Sequence, residues 1–271
     1  MQLKSYARIT LSLDIIKKLS SGYHEVEIIK TKIDLYDNLT IKNAKATKVV
    51  CKKIDDSIVL KAINALKKRY NINKHVEVTI QKNIPIAGGL AGGSSNAASV
   101  LLELNKLWNI NAPIKELVPL ARQIGRDVPC FFFNGLVFDK EVNLETEQVG
   151  ELPKAYIIIV NDGINVSTKD AYSWLDYNKI GLRLASRKIK TLEDKKELPK
   201  YMHNDFEQFV FPKFPQLRMI KKELHNLGLF SLMSGSGSTV YGLSYDKIKV
   251  ENAYNKIKNK YKTVILTHTL G

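Results

Sequence analysis

The stretch 84–102, IPIAGGLAGGSSNAASVLL, constrains this chain more than any other. Gly88, Gly89, Gly92 and Gly93, with Ala87 and Ala91 among them, leave a backbone nearly free of side chains. Ser94, Ser95 and Asn96 follow, and then an apolar run with helical spacing begins. A bare loop that becomes a helix N-terminus presents several unpaired N–H groups to one point. The helix dipole adds positive charge there, so the point attracts phosphate. The two serine hydroxyls can also face a metal ion held by that phosphate. The spacing fits neither a Walker A loop, which needs a Lys after its last Gly, nor GxGxxG. Glycine also serves tight turns and close packing. Glycines, paired serines and a helix start in this order favour the phosphate reading.

Periodicity organises the rest. Alternating, β-branched-rich runs predict strands at 5–16, 26–32, 76–82, 155–160, 229–233, 239–243 and 263–269, with further strand material over 32–50 broken by an Asp-Asn turn at 37–38. The apolar run 130–133 also reads as a strand. Helical spacing predicts helices at 57–70, from the glycine loop to about 108, from Pro113 to 124, from Ser167 or Thr168 to 175, at 204–210, at 215–227 and at 245–261. The charged segment 179–200 reads as surface helix and linker. Strands and helices mix without a regular βα alternation, which points to an α+β fold. Pro153 marks a domain boundary, dividing the chain into 1–152 and 153–271.

At 271 residues the chain can bury a sizeable core, as one large domain or two smaller ones. Its net charge of +15 suits anionic partners: nucleic acid, a membrane surface or a phosphorylated metabolite. The excess is scattered Lys, with only 7 Arg, and Asn and Ile are abundant beside it. An AT-rich genome is one source of that composition. A nucleic-acid binder is expected to interleave Arg and aromatics in a stripe instead. Cys51 and Cys130 lie far apart, which speaks against a disulfide framework or a cysteine metal site and for a reducing cytosol. No signal peptide and no run of membrane-spanning length is read.

Three small-residue segments stand in fixed order: YARITLSLDI with GYHE, PIAGGLAGGSSNAA, and LMSGSGSTVYGL. Together they resemble the GHMP kinase superfamily of small-molecule kinases. GYHE, GRDVPCFF, NVSTKDAY and HNDFE narrow the resemblance to the 4-diphosphocytidyl-2-C-methyl-D-erythritol kinase family of the non-mevalonate isoprenoid pathway. The resemblance spans nearly the whole chain. It implies two α+β domains with the active site in the cleft between them. It also implies a cytoplasmic enzyme, a monomer or homodimer. The reaction would be transfer of the ATP γ-phosphoryl, with Mg, to a hydroxyl of a cytidine-diphosphate-linked methylerythritol, without nucleic-acid or membrane partners. Two other readings stay open: a GHMP kinase for a mevalonate- or homoserine-like alcohol, and a catalytically weak nucleotide- or RNA-binding homologue.

The resemblance assigns roles residue by residue. Asp127, between Gly125 and Pro129, becomes the catalytic base, although an aspartate before such a turn commonly bonds its own backbone. Arg8 falls where the family has a Lys that contacts the acceptor hydroxyl and the catalytic Asp. A guanidinium keeps the charge but does not release a proton. Thr10 stands where the family has Asn. Pro85, Gly88, Gly89, Leu90, Gly92, Gly93, Ser94, Ser95 and Asn96 form the ATP loop. Ala87 and Ala91 replace glycines there and are expected to keep negative φ and tighten it. Tyr23 and His24 resemble the cytosine-reading pair, one face to stack on the base and one imidazole to meet its edge. Tyr172 would lie on the base's other side, unless it is a core aromatic, and Thr168 is a further substrate contact. Gly235, Ser236 and Gly237 resemble the third motif, which shapes the substrate side. No metal ligand is assigned. The family's Gly-x-Gly-Glu element is missing from 138–149, and Asn161-Asp162 replaces its usual Pro.

Overall fold

A computed structural model describes residues 1–20, 22, 24–52, 57–140, 145–181 and 184–271. Tyr23 lies outside the described residues. The chain divides by its contacts into two compact units: Met1–Ala7, Leu35–Pro85 and Ala91–Phe133 in the first, and Arg8–Asp34, Ile86–Leu90 and Asn134–Gly271 in the second. This contact division differs from the sequence segments 1–152 and 153–271, because parts of the first two strands, Ile86–Leu90 and residues 134–152 all cluster with the C-terminal half.

Strands β1 (Gln2–Lys18) and β2 (His24–Asn43) are those shared strands. The first unit adds β3 (Lys48–Cys51), helix α1 (Ser57–Tyr70), β4 (Val76–Gln81), α2 (Gly92–Leu107) and α3 (Ile114–Ile124). β4 pairs antiparallel with the end of β2 (Leu39 opposite Ile80) and parallel with β3 (Val49 opposite Val78). Val76, Val78 and Ile80 alternate inward along β4, as the period of two requires. They share the first unit's core with Ile63 and Leu66 of α1 and Leu101 and Leu104 of α2. The expected strand at 130–133 is instead a 3-10 turn, Pro129–Phe132. Pro129 opens it: the ring presets a helical φ, and its missing N–H needs no partner in a first turn. A four-residue apolar run does not by itself distinguish the two conformations.

The second unit adds β5 (Leu136–Lys140), β6 (Glu145–Gly150), β7 (Tyr156–Asn161), α4 (Thr168–Ser173), α5 (Ala185–Thr191), β8 (His203–Asn204), α6 (Glu207–Val210), α7 (Pro215–Asn226), β9 (Phe230–Met233), β10 (Val240–Ser244), α8 (Lys247–Ile257) and β11 (Thr263–His268). The antiparallel sheet β11-β7-β10-β9 places Ile159 between Tyr241 and Ile265. Ile158, Val160 and Val240 form a core with Leu217, Ile220 and Leu224 of α7 and Val250 and Ile257 of α8. The pair β5 and β6, unread in the sequence, extends the other sheet from β2, with Ile29 opposite Phe138. A buried ion pair, Lys30 Nζ to Asp139 Oδ2 at 2.6 Å, ties β2 to β5. The helix expected from Asn204 starts only at Glu207, because His203 and Asn204 pair in parallel with Ser12 and Leu13 of β1. Among the described residues no helix is long and apolar enough to cross a membrane.

Candidate active site

The glycine stretch delivers the predicted helix start. α2 begins at Gly92, and its N-cap, Ala91, offers no side-chain hydrogen bond to the first turn. The first backbone N–H with an intrahelical partner is that of Ser95, which donates to Ala91 O at 3.0 Å. The N–H groups of Gly92, Gly93 and Ser94 therefore precede the helix's own ladder, as donors for an anion. Ala91 has φ +54°, and so does Ala87. Both alanines thus take the left-handed conformation, against the expectation of negative φ. The loop needs those turns whether or not a glycine supplies them, at about 1–2 kcal/mol for each Cβ held there.

The serines separate. The Ser95 hydroxyl donates to Tyr6 O at 2.6 Å and meets Ser5 Oγ at 2.7 Å, so it fastens α2 to β1 inside the first unit. Asn96 is fully buried. The Ser95 hydroxyl is therefore taken up by bonds inside the protein, away from any ion at the loop, whereas Ser94 is half-exposed in the first turn. The strand end before the loop is pinned by Asp37, whose Oδ1 accepts the N–H of Asn83 and of Ile84 (2.8 and 2.9 Å) and whose Oδ2 meets Lys82 Nζ at 2.5 Å. A Cβ on Gly92 would lie 3.1 Å from Lys82 Nζ, so this buried ammonium stands against the start of α2. Sequence reading passed over both residues. The available signal was a lone Lys closing an alternating strand two residues before an Ile-Pro-Ile step.

Asp127 is half-buried in the turn after α3, and its carbonyl accepts the Cys130 thiol at 3.0 Å. The turn lies close to the start of α2 within the same unit: a Cβ on Gly125 would come 3.9 Å from Ser94 Oγ and 3.1 Å from Ile58 Cδ1.

In the second unit Arg8 is buried inside β1, and its Nη1 donates to Gly89 O at 2.6 Å, Thr10 Oγ1 at 3.3 Å and Ser234 Oγ at 3.4 Å. Ser234 Oγ donates in turn to Gly89 O at 2.8 Å and accepts Thr10 N–H at 3.2 Å. The N–H of Thr239 reaches Gly88 O at 3.2 Å. The third small-residue loop thus holds the first turn of the glycine loop directly. Gly89 is obligatory there: its φ is +70°, and a Cβ would fall 2.2 Å from Ser234 O. Pro85 precedes this turn, and the Leu90 side chain is buried with its carbonyl accepting Arg8 N–H at 3.2 Å. Gly235 and Gly237 both have positive φ, and Ser236 Oγ pairs with Thr168 Oγ1 at 2.9 Å. The Tyr241 hydroxyl donates to Thr10 O at 2.7 Å, and complete burial pushes that phenol well above its ordinary pKa.

The aromatic residues also come together. His24 stacks on Tyr172 with centroids 4.4 Å apart and planes 19° from parallel, and Tyr177 is parallel to His24 within 2° at 6.0 Å. Tyr172 meets the edge of Phe206 at 4.9 Å. Tyr172 is therefore packed against an imidazole, and a planar ligand binding between His24 and Tyr172 has to part them. Asp14, His203 and Asp205 form a separate cluster among the described residues. Asp14 accepts the N–H of Ala185 and Ser186 at the start of α5 (3.1 and 2.6 Å). Asp205 accepts Ile15 N–H and the His203 ring at 2.7 Å each. These bonds account for the cluster as a backbone tie.

Family models for the GHMP kinases match this chain at residues 57–135 (N-terminal domain) and 185–263 (C-terminal). A 4-diphosphocytidyl-2-C-methyl-D-erythritol kinase of Clostridium botulinum (strain Eklund 17B / Type B) is 33% identical over the whole of both chains. One of Alkaliphilus oremlandii (strain OhILAs) is 36% identical over 98% of this chain and 96% of its own. A crystal structure of a 4-(cytidine 5'-diphospho)-2C-methyl-D-erythritol kinase superposes with a TM-score of 0.86 over 100% of both chains at 25% identity. The uncapped glycine helix, the Asp127 turn and the third loop therefore sit in a chain that belongs to the GHMP kinases, within the 4-diphosphocytidyl-2-C-methyl-D-erythritol kinase family.

Proposed function

We propose that this chain transfers the γ-phosphoryl group of ATP to the 2-hydroxyl of 4-diphosphocytidyl-2-C-methyl-D-erythritol. The observation that carries the phosphoryl-transfer reading is the start of α2, where Gly92, Gly93 and Ser94 lie ahead of the helical ladder with no side-chain cap. Those N–H groups and the helix dipole hold the ATP phosphates, with Pro85, Gly88, Gly89 and Leu90 shaping the approach and Asn96 buried behind them. Mg is the divalent ion this chemistry takes; it neutralises phosphate charge when bound, and Ser94 is the loop hydroxyl left to reach it.

Asp127 acts as the base. Phosphoryl transfer asks little covalent help of a protein, but a carboxylate near the acceptor hydroxyl orients it and takes its proton. Arg8 supplies fixed positive charge and no proton transfer. Thr10, Thr168, Gly235, Ser236 and Gly237 shape the acceptor side. His24 and Tyr172, with Tyr23, take the cytosine, which separates the two rings that stack in the free protein. The segments 1–152 and 153–271 serve as the two kinase domains. The protein works in the cytoplasm on small molecules, as a monomer or homodimer, without nucleic-acid or membrane partners.

The test is ADP release from ATP and Mg with the cytidine-linked methylerythritol, mevalonate or homoserine as acceptor. Turnover is expected with the cytidine-linked compound alone, and Asp127→Asn should lower kcat by about 10²–10⁴ with ATP affinity retained. Turnover with another alcohol would keep the phosphate loop and reject the base-binding roles of Tyr23, His24 and Tyr172. ATP binding without turnover on any acceptor would support a binding homologue.

A further inference from the structure

Asn204 lies on β8, beside the strand that carries Arg8 and Thr10, and its side chain is almost completely buried. Its Nδ2 donates to two carbonyls at once, Met233 O and Gly235 O, both at 2.7 Å. Its Oδ1 accepts the N–H of Phe206 at 3.0 Å. A primary amide has two donor hydrogens and one acceptor oxygen, so these three bonds use both donors and the acceptor.

Each bond ends at a different part of the acceptor side. Met233 and Gly235 flank Ser234, whose hydroxyl meets Gly89 O and Thr10 N–H. Gly235 leads to Ser236, which pairs with Thr168. Phe206 presents its ring to Tyr172, which stacks on His24. We infer that Asn204 is a positioning residue for the acceptor: one amide fixes both the third small-residue loop and the ring that backs the aromatic pair. This rests on the phosphoryl-transfer reading above.

Asn204→Asp separates the two arms. The carboxylate still accepts Phe206 N–H, but its other oxygen now faces two carbonyl oxygens and donates nothing. The Gly89 carbonyl keeps its bond from Arg8, so the nucleotide loop is affected less than the acceptor loop. The probe is cytidine 5'-diphosphate, titrated calorimetrically into the full chain, alongside KM for the cytidine-linked acceptor and for ATP. The expected result is a loss of about tenfold or more in cytidine-diphosphate affinity and a matching rise in acceptor KM, with ATP KM within about threefold of wild type. Leu224→Ala, a core truncation in α7, is expected to lower Tm and leave all three constants unchanged. Asn204→Ser, which retains one donor, is expected to fall between wild type and Asn204→Asp, and it decides the matter if the aspartate variant does not fold. Wild-type constants in the folded Asn204 variants, or constants that drift equally with Tm in Leu224→Ala, would overturn the inference and leave the functional reading intact. A wild-type protein that neither binds cytidine 5'-diphosphate nor turns over its acceptor would overturn both.

Discussion

Two loops of this molecule share a composition and do opposite things. Residues 88–96 and 234–238 are both rich in glycine and serine. The first ends in a helix whose leading N–H groups are uncapped, and its one deeply buried hydroxyl, Ser95, merely fastens the helix to β1. The second uses its polar groups inside the protein: Ser234 on Gly89 and Thr10, Ser236 on Thr168, and Ser238 on Ile164 O and Asn161. One loop leaves its leading N–H groups outside the helical ladder, as the proposed phosphate donors, and the other holds its neighbours in place. What separates them is the sequence that follows. An apolar helical run after small residues gives a helix start with open N–H groups, and a β-strand after them gives a brace.

The strongest way to break this pairing is at its closest point. Gly89→Ala puts a Cβ 2.2 Å from Ser234 O and 2.9 Å from Gly237 O, at a φ of +70°. Backbone cannot yield as a side-chain tip does, so the two loops must part. We expect a loss of at least about 3 kcal/mol of stability in denaturant unfolding, together with loss of ATP binding. An alanine variant that folds and binds ATP normally would show that the contact is not needed. Ser234→Ala is the milder version. It leaves Thr10 N–H without its acceptor and removes one of two donors from Gly89 O. The expected cost is about 1–3 kcal/mol, read as a lower urea midpoint at unchanged m-value.

The glycine loop and its helix were legible because they are local: composition, spacing and the following apolar run suffice to place a helix start. The brace was legible as a motif but not as a brace. Ser234 meets Gly89 and Thr10, 145 and 224 residues away, and Asn204 holds the carbonyls on either side of it, at Met233 and Gly235; nothing in the order of residues announces these contacts. Asp37 and Lys82 escaped notice for the same reason. Alternation places the strand before Lys82, but Asp37-Asn38 reads as a turn, whereas β2 runs unbroken through it and strand register makes the ion pair. The strand expected at 130–133 and the helix expected from 204 failed where short segments obey a neighbour: Pro129 in one case and pairing with β1 in the other. The expectation of negative φ at Ala87 and Ala91 failed because a propensity was allowed to stand for a geometry that the loop imposes.

A pH handle acts on the brace's unit alone. Burial raises the Glu27 carboxyl, but the bidentate Arg187 guanidinium at 2.6 and 2.7 Å, joined by Lys140, outweighs it and holds the group below the ordinary carboxylate value. A group whose folded pKa is depressed adds stability above its unfolded pKa and loses it as pH falls through the folded one. The stabilising effect of Arg187 should therefore be full at neutral pH and fade in acid, below the range where an unfolded glutamate titrates. In urea titrations across that range, Arg187→Met should be less stable than wild type at pH 7, and the two should converge at low pH. Parallel curves would mean that the charge pair contributes nothing. Phosphate affinity of the glycine helix at neutral pH should be the same in both proteins, since neither residue lies in its unit.

The smallest effect sharpens the comparison most. The brace takes positive φ with glycine, at Gly235 and Gly237, whereas the phosphate loop takes it twice with alanine. An alanine held left-handed costs about 1–2 kcal/mol, and a glycine there instead costs about 0.5–1 kcal/mol through the freedom it adds to the unfolded chain. Ala91→Gly should thus stabilise the protein by about 0.5–1 kcal/mol. Ala91 is the N-cap of α2, so its φ sets the angle at which the uncapped N–H groups emerge. If the alanine only replaces a glycine, the variant gains stability and binds ATP as before. If the methyl group keeps the free loop in its binding shape, stability rises while ATP affinity falls by a few-fold, because the glycine loop then has more conformations to give up on binding. Calorimetric titration of ATP into both proteins, beside their urea midpoints, separates a tolerated substitution from a preorganised loop.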